Sequence, residues 1–151
     1  MEGCLACDLT GGRLDLPGGR IHATAHWAVE HCIGPLGVAT LIVKPIRHCL
    51  HVADLTEEEA AELGPLLRRM TATIQELTQA DQVYVCLWSH RGFEPGHIHF
   101  VLQPAWGSQR EAYEHPGPCL QVDMLRANEP LPRGEVEAFC DRARSALHAR
   151  T

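Results

Sequence analysis

The sequence predicts an α+β fold built on an antiparallel sheet, with one long helix and a C-terminal helix. Three observations carry this expectation. Segments of strand character and of helical periodicity run in the order strands, helix, strands, helix. The strand-like segments 82–88 and 97–103 are joined by a loop too short for a parallel crossover, so they pair antiparallel. Hydrophobic residues make up 45% of the 151 residues, enough for one compact core.

Residues 1–19 are rich in glycine (Gly11, Gly12, Gly18, Gly19) and read as an irregular arm. Two strands fit 20–33, with Trp27, Val29 and Ile33 on one face. Gly34-Pro35-Leu36-Gly37 is a turn signal, and 38–43 is a β-rich apolar run that Lys44-Pro45 ends. Thr56 and Glu59 have the spacing of a capping box, and Glu57, Glu58 and Glu59 suit the positive end of a helix dipole. Leu63, Leu66, Leu67, Met70, Ile74 and Leu77 continue at helical spacing. Pro65 inside this pattern predicts a kink or a break. The strand 82–88 is apolar on both faces, which predicts a central strand covered on both sides. After Pro104 the pattern loosens, with a short helix expected near 110–113 and a strand or helix near 120–125. The segment 135–148 closes as a helix with Val136, Phe139, Cys140, Ala143 and Leu147 on one face.

Composition narrows the function. The net charge of -6, with 21% charged residues, does not describe a nucleic-acid-binding surface, so no nucleic-acid partner is expected. No apolar run approaches the roughly 20 residues that cross a bilayer. The first ten residues do not read as a secretory signal, so a cytoplasmic location and no membrane partner are expected. Seven cysteines, an odd number, do not suggest a disulfide framework, and ten histidines leave room for metal or acid–base chemistry.

Cys4-Leu5-Ala6-Cys7 is the first chemical motif. Two thiolates at this spacing can share a tetrahedral zinc ion, can form a redox pair, or can be two free cysteines of a terminal arm. His97-Ile98-His99-Phe100 is the second. On a strand, His97 and His99 stand on one face about 6–7 Å apart, with Ile98, Phe100 and Leu102 opposite. Two satisfied core histidines are the bland alternative. The third is the basic turn Lys44-Pro45-Ile46-Arg47-His48, which on spacing alone is unremarkable, as an exposed strand-end lysine commonly is. Of the other histidines, His22 and His26 are four apart and share a face if both lie on one strand.

Taken together, "GVATLIVKPIRH", "HVADLTEEE" and "GHIHFVLQP" resemble the histidine triad (HIT) family of nucleotide hydrolases and transferases over about residues 4–104. The resemblance implies a HIT-like domain at 1–104 with an N-terminal zinc arm, and a C-terminal extension at 105–151 packing on it. A zinc-bearing branch, and the related galactose-1-phosphate uridylyltransferases, supply a ligand set that matches Cys4, Cys7, His48 and His97 here. Such a closed set reads as structural zinc, clamping the arm to the sheet. His99 matches the nucleophile, with its other ring nitrogen tied to a backbone carbonyl. A nucleotide or nucleotide conjugate as ligand, and a homodimer, are implied in the same way.

Phosphate oxygens need donors, and the loop 89–96 offers Ser89 and His90 as candidates. The family's third histidine falls at Val101, which cannot donate a proton, and Glu94-Pro95-Gly96 stands where the family carries a Gly-Gln-Ser/Thr type segment. Gln103 is on the same strand face two residues on, a candidate substrate contact but not an equivalent of the missing histidine. The expected function is cleavage or transfer at an α-phosphate through a nucleotidyl-His99 intermediate. Its rivals are a non-catalytic nucleotide-binding module, because of Val101, and a redox or zinc scaffold in which Cys4 and Cys7 are the working part.

Overall fold

A computed structural model describes residues 1, 3–88, 96–109, 113 and 117–149. The elements are α1 (Leu5–Thr10), β1 (Arg20–Ala23), β2 (Trp27–His31), β3 (Leu41–Pro45), α2 (Glu57–Thr78), β4 (Gln82–Trp88), β5 (His99–Ala105), α3 (Pro118–Ala127) and α4 (Arg133–His148). The strands form one antiparallel sheet in the order β1-β2-β3-β5-β4. The α+β class and the antiparallel sheet expected from the sequence are present.

Alternation of side chains gives the sheet two chemically different faces. Trp27 and Val29 of β2, Leu41 and Val43 of β3 and Leu102 of β5 face one way. Leu66, Met70 and Ile74 of α2 and Phe139, Ala143 and Leu147 of α4 cover them in one core. The periodicity of both helices therefore describes the stripe each one buries. The opposite face carries Glu30, Ile42, Lys44, His99, Val101 and Gln103, as the pairings Glu30↔Ile42 and Ile42↔Val101 require. Leu120 and Met124 of α3 pack on this face against Cys32, Leu36, Val101 and Ala105.

The structure corrects several expectations. The arm is not wholly irregular, because Leu5–Thr10 form a six-residue helix that begins after Cys4 and puts Cys7 in its first turn. Gly18 then lies at φ +75 against α4, where a Cβ would collide with Cys140, so glycine is required there. The helix α2 runs unbroken from residue 57 to 78 with Pro65 inside it. The bond that Pro65 cannot make belongs to the carbonyl of Ala61, and both residues are exposed, so water can take its place. The apolar run at 38–43 does not start as strand. Gly37 and Ala39 both take positive φ, and the turn extends to Thr40 before β3 begins. Ile33 is 51% exposed and lies outside β2.

The largest correction concerns β4, which is an edge strand rather than a central one. Val85 and Leu87 are 44% and 45% exposed on the α2 side of the sheet. Apolar residues on both faces record that a strand tends to be covered, not what covers it. The segment at 120–125 is helical. The short helix expected near 110–113 falls mostly outside the described residues.

Candidate functional site

Three segments bring together four residues that could hold a metal ion. Cys4 and Cys7 bracket the start of α1, His48 follows β3, and His97 leads into β5. One ligand atom from each of Cys4, Cys7, His48 and His97 lies within 4.8 Å of every other. Cys4 Sγ is 3.6 Å from His97 Nδ1, and Cys7 Sγ is 3.5 Å from Nδ1 of both His48 and His97. Zinc bonds of about 2.3 Å to sulfur and 2.0–2.1 Å to nitrogen, at tetrahedral angles, separate such ligands by about 3.5 Å. The donor set and its spacing therefore fit zinc.

The surroundings prepare these side chains for a metal. His97 Nε2–H donates to the carbonyl of Pro45 at 3.0 Å, which leaves Nδ1 deprotonated and turned to the sulfurs. Burial pushes the His97 imidazole down to about 4, so it is neutral, the form that ligates. Burial and then the neighbouring Cys4 raise the Cys7 thiol. Cys49, next to His48, is not part of the cluster, because its Sγ donates to the carbonyl of His51 at 3.2 Å.

Because His97 turns to the sulfurs of Cys4 and Cys7, it stands outside the ladder and β5 begins at His99, two residues later than expected. Ile98 N–H donates to the carbonyl of Cys49 and ties this lead-in to the turn that carries His48. His99 Nδ1–H donates to the carbonyl of His97 at 3.0 Å. That bond fixes the tautomer with Nε2 as the ring nitrogen that carries a lone pair.

His99 lines a cavity of about 150 Å³ on the same sheet face. Leu5, Ala6 and Leu9 of α1 contribute to its lining, as do Ile33 and Ile42. Two charged residues also line it, although each is only 1% exposed: Glu30 and Lys44. Lys44 Nζ lies 2.6 Å from Glu30 Oε2 and donates to the carbonyl of Ala6 at 2.9 Å, so it also pins α1 to the sheet. The sequence reading of Lys44 as an exposed strand-end lysine is thereby corrected. Glu30 was not singled out at all. The available signal was slight, two opposite charges within mainly apolar strands, on the sheet face shared with His99 and opposite the core.

Val101 and Gln103 follow His99 on its face but lie under α3. Val101 is 2% exposed in the cluster with Leu120 and Met124. Gln103 is fully buried, and its amide donates to the carbonyl of Leu36 and contacts Met124 Sδ. The structure does not bring Gln103 to the cavity beside His99. Ser89 and His90 lie outside the described residues. His22 and His26 do not share one strand: His22 is in β1, and His26 precedes β2 and bonds Glu62 of α2 at 2.9 Å. His31 lines the cavity, yet both of its ring nitrogens are used within the fold, on the Cys32 carbonyl and the Ala39 amide.

No model of a known protein family matches the sequence, and no curated protein matches it. Solved structures do match. A hypothetical histidine triad nucleotide-binding protein from Sulfolobus tokodaii aligns with TM-score 0.74 at 15% identity, over 97% of this chain and 93% of that one. A zinc-bound histidine triad family protein from Mycobacterium smegmatis aligns with TM-score 0.70 at 19% identity, over 99% and 98%. The Plasmodium falciparum diadenosine triphosphate hydrolase, in complex with cyclomarin A, aligns with TM-score 0.67 at 14% identity, over 91% and 80%. At these identities the likeness is one of fold, and the fold is that of histidine triad proteins.

Proposed function

We propose that this chain, which carries the histidine triad fold, is a zinc-containing nucleotide hydrolase or nucleotidyltransferase acting at an α-phosphate through a nucleotidyl-His99 intermediate. The observation that carries the reading is the bond from His99 Nδ1–H to the His97 carbonyl, which aims the reactivity at Nε2 beside a cavity. Neighbours of the same fold described as nucleotide-binding and as a diadenosine triphosphate hydrolase support it.

In this mechanism the Nε2 lone pair of His99 forms a bond to the α-phosphorus, and the bond to the leaving oxygen breaks. The leaving oxygen takes a proton from solvent. Water, or an acceptor hydroxyl, then attacks phosphorus and releases a proton as the P–N bond breaks, which restores neutral His99. Nδ1 keeps its proton on the His97 carbonyl throughout, so the carbonyl dipole offsets the positive charge that the ring acquires in the adduct. Cys4, Cys7, His48 and His97 would hold a structural zinc ion, whose contribution is to fix the backbone on which His99 stands.

A second reading, a nucleotide-binding module without turnover, is favoured by one observation. Val101 is buried among apolar residues under α3, and no proton donor stands at that strand position. Incubation with a labelled dinucleoside polyphosphate separates the two readings. Catalysis predicts an acid-labile label on His99 and a loss of turnover of at least about 10³-fold in His99→Ala. Saturable binding with neither label nor turnover supports the module.

A homodimer belongs to the same reading. Its support is the exposed apolar stretch of the edge strand β4, Val85 and Leu87. A cytoplasmic location is also part of it, supported by seven cysteines, an odd number that does not suggest a disulfide framework. Among the described residues no helix is long and apolar enough to cross a membrane.

A further inference from the structure

Chemistry at His99 leaves one feature of the cavity unused. Glu30 Oε2 pairs with Lys44, but Glu30 Oε1 is buried and has no hydrogen-bond partner among the described residues. The residue is 1% exposed and lines the cavity that also takes in His99. A buried carboxylate oxygen without a donor is costly, and native structures leave few of them. Lys44 does not relieve it, since its ammonium is held between Glu30 Oε2 and the carbonyl of Ala6. His31 does not relieve it either, because both ring nitrogens are committed elsewhere.

The cavity that Glu30 helps to line is otherwise mainly apolar, with Leu5, Leu9, Ile33 and Ile42 in its lining. A cavity of about 150 Å³ lined by such side chains holds a benzene-sized ring. An apolar slot with an orphaned acceptor suits a planar heterocycle that brings an N–H donor on its edge.

The geometry points to Glu30 as the residue that selects the base, with a ring amino group donating to Oε1. This inference rests on the nucleotide reading above and names its substrate class: nucleotides of amino-bearing bases. The choice of an amino group over a lactam N–H follows from electrostatics. The ring N–H of uracil is flanked by two carbonyl oxygens, which a carboxylate repels, whereas an amino group turns only hydrogens toward it. A charge-assisted bond to an otherwise unpaired oxygen gives discrimination on the order of 30-fold.

Isothermal titration of the zinc-loaded protein tests this with AMP, CMP, UMP and purine riboside 5′-monophosphate, which is AMP without its amino group. AMP and CMP are expected to bind on the order of 30-fold more tightly than UMP and the purine riboside. Glu30→Gln is expected to remove that preference. Should this variant fail to fold, the ligand series on the unaltered protein decides alone. Equal affinity for AMP and the purine riboside overturns the role of Glu30 and leaves a nucleotide-binding protein standing. If none of the four nucleotides binds, both this inference and the proposed function fall.

Discussion

His31 is 2% exposed, donates from Nδ1 to the Cys32 carbonyl at 2.7 Å and accepts at Nε2 from Ala39 N–H at 2.9 Å. The second bond holds Ala39 at φ +76 and so shapes the turn into β3. Accepting at Nε2 requires a neutral ring, and burial lowers the pKa of His31 below its ordinary value of 6.5. The unfolded chain binds this proton more readily, so His31 adds stability above about pH 6.5 that is lost as pH falls toward the folded pKa. The urea midpoint of the zinc-loaded protein should therefore drop between pH 6.5 and 5, with a smaller slope in His31→Gln. Equal slopes in the two proteins would remove His31 as a cause. Nothing local in the sequence announces that His31 has a partner eight residues away. His99 was legible through its spacing from His97 and the resemblance that spacing supports, while Glu30 was hidden because a lone acid in a strand reads as a solvated side chain.

At the scale of elements, local rules worked where the partner lies within a few residues. Thr56 and Glu59 form the reciprocal capping box that their spacing predicts. The structure adds that Glu59 also accepts from Arg47, at 3.0 and 2.7 Å, and so joins the start of α2 to the turn carrying His48. The bond from Arg47 holds the Glu59 carboxyl below its usual range, so its contribution is present above about pH 4.5 and lost as pH falls below it. Glu59→Ala should cost about 1–2 kcal/mol by urea unfolding, and Thr56→Ala about 1 kcal/mol. A greater loss in Thr56→Ala than in Glu59→Ala would contradict the added link to Arg47. Such rules failed for β4, whose position at the edge is set by strand order, a property of long-range pairing. If the exposed Val85 and Leu87 form the dimer contact, Leu87→Glu should halve the mass seen by light scattering. An unaltered protein that is already monomeric would refute that contact.

Across the whole molecule, the cluster of Cys4, Cys7, His48 and His97 joins parts of the chain separated by up to 93 residues. No residue of α1, of the turn 46–50 or of the lead-in 97–98 belongs to the apolar core clusters of the described residues, and Leu5 of α1 remains 53% exposed. Hydrophobic patterning therefore could not reveal how the arm is held. The cysteine spacing left three readings open, and only the resemblance joined it to His48 and His97. If zinc is the clamp, its removal should undock α1 and take away one side of the cavity, leaving the core between α2, α4 and the sheet in place. Ligand linkage gives about 2.7 kcal/mol when free zinc is 100 times its dissociation constant. At about 2–4 °C per kcal/mol for a chain of this size, a chelator should lower Tm by about 5–11 °C. Cys4→Ser or Cys7→Ser should abolish that response, whereas Cys49→Ser, one residue from a ligand but turned to the His51 carbonyl, should keep it and retain one zinc per chain. A protein whose Tm ignores both chelator and Cys7→Ser, and which readily forms a Cys4–Cys7 disulfide, would return the motif to redox chemistry.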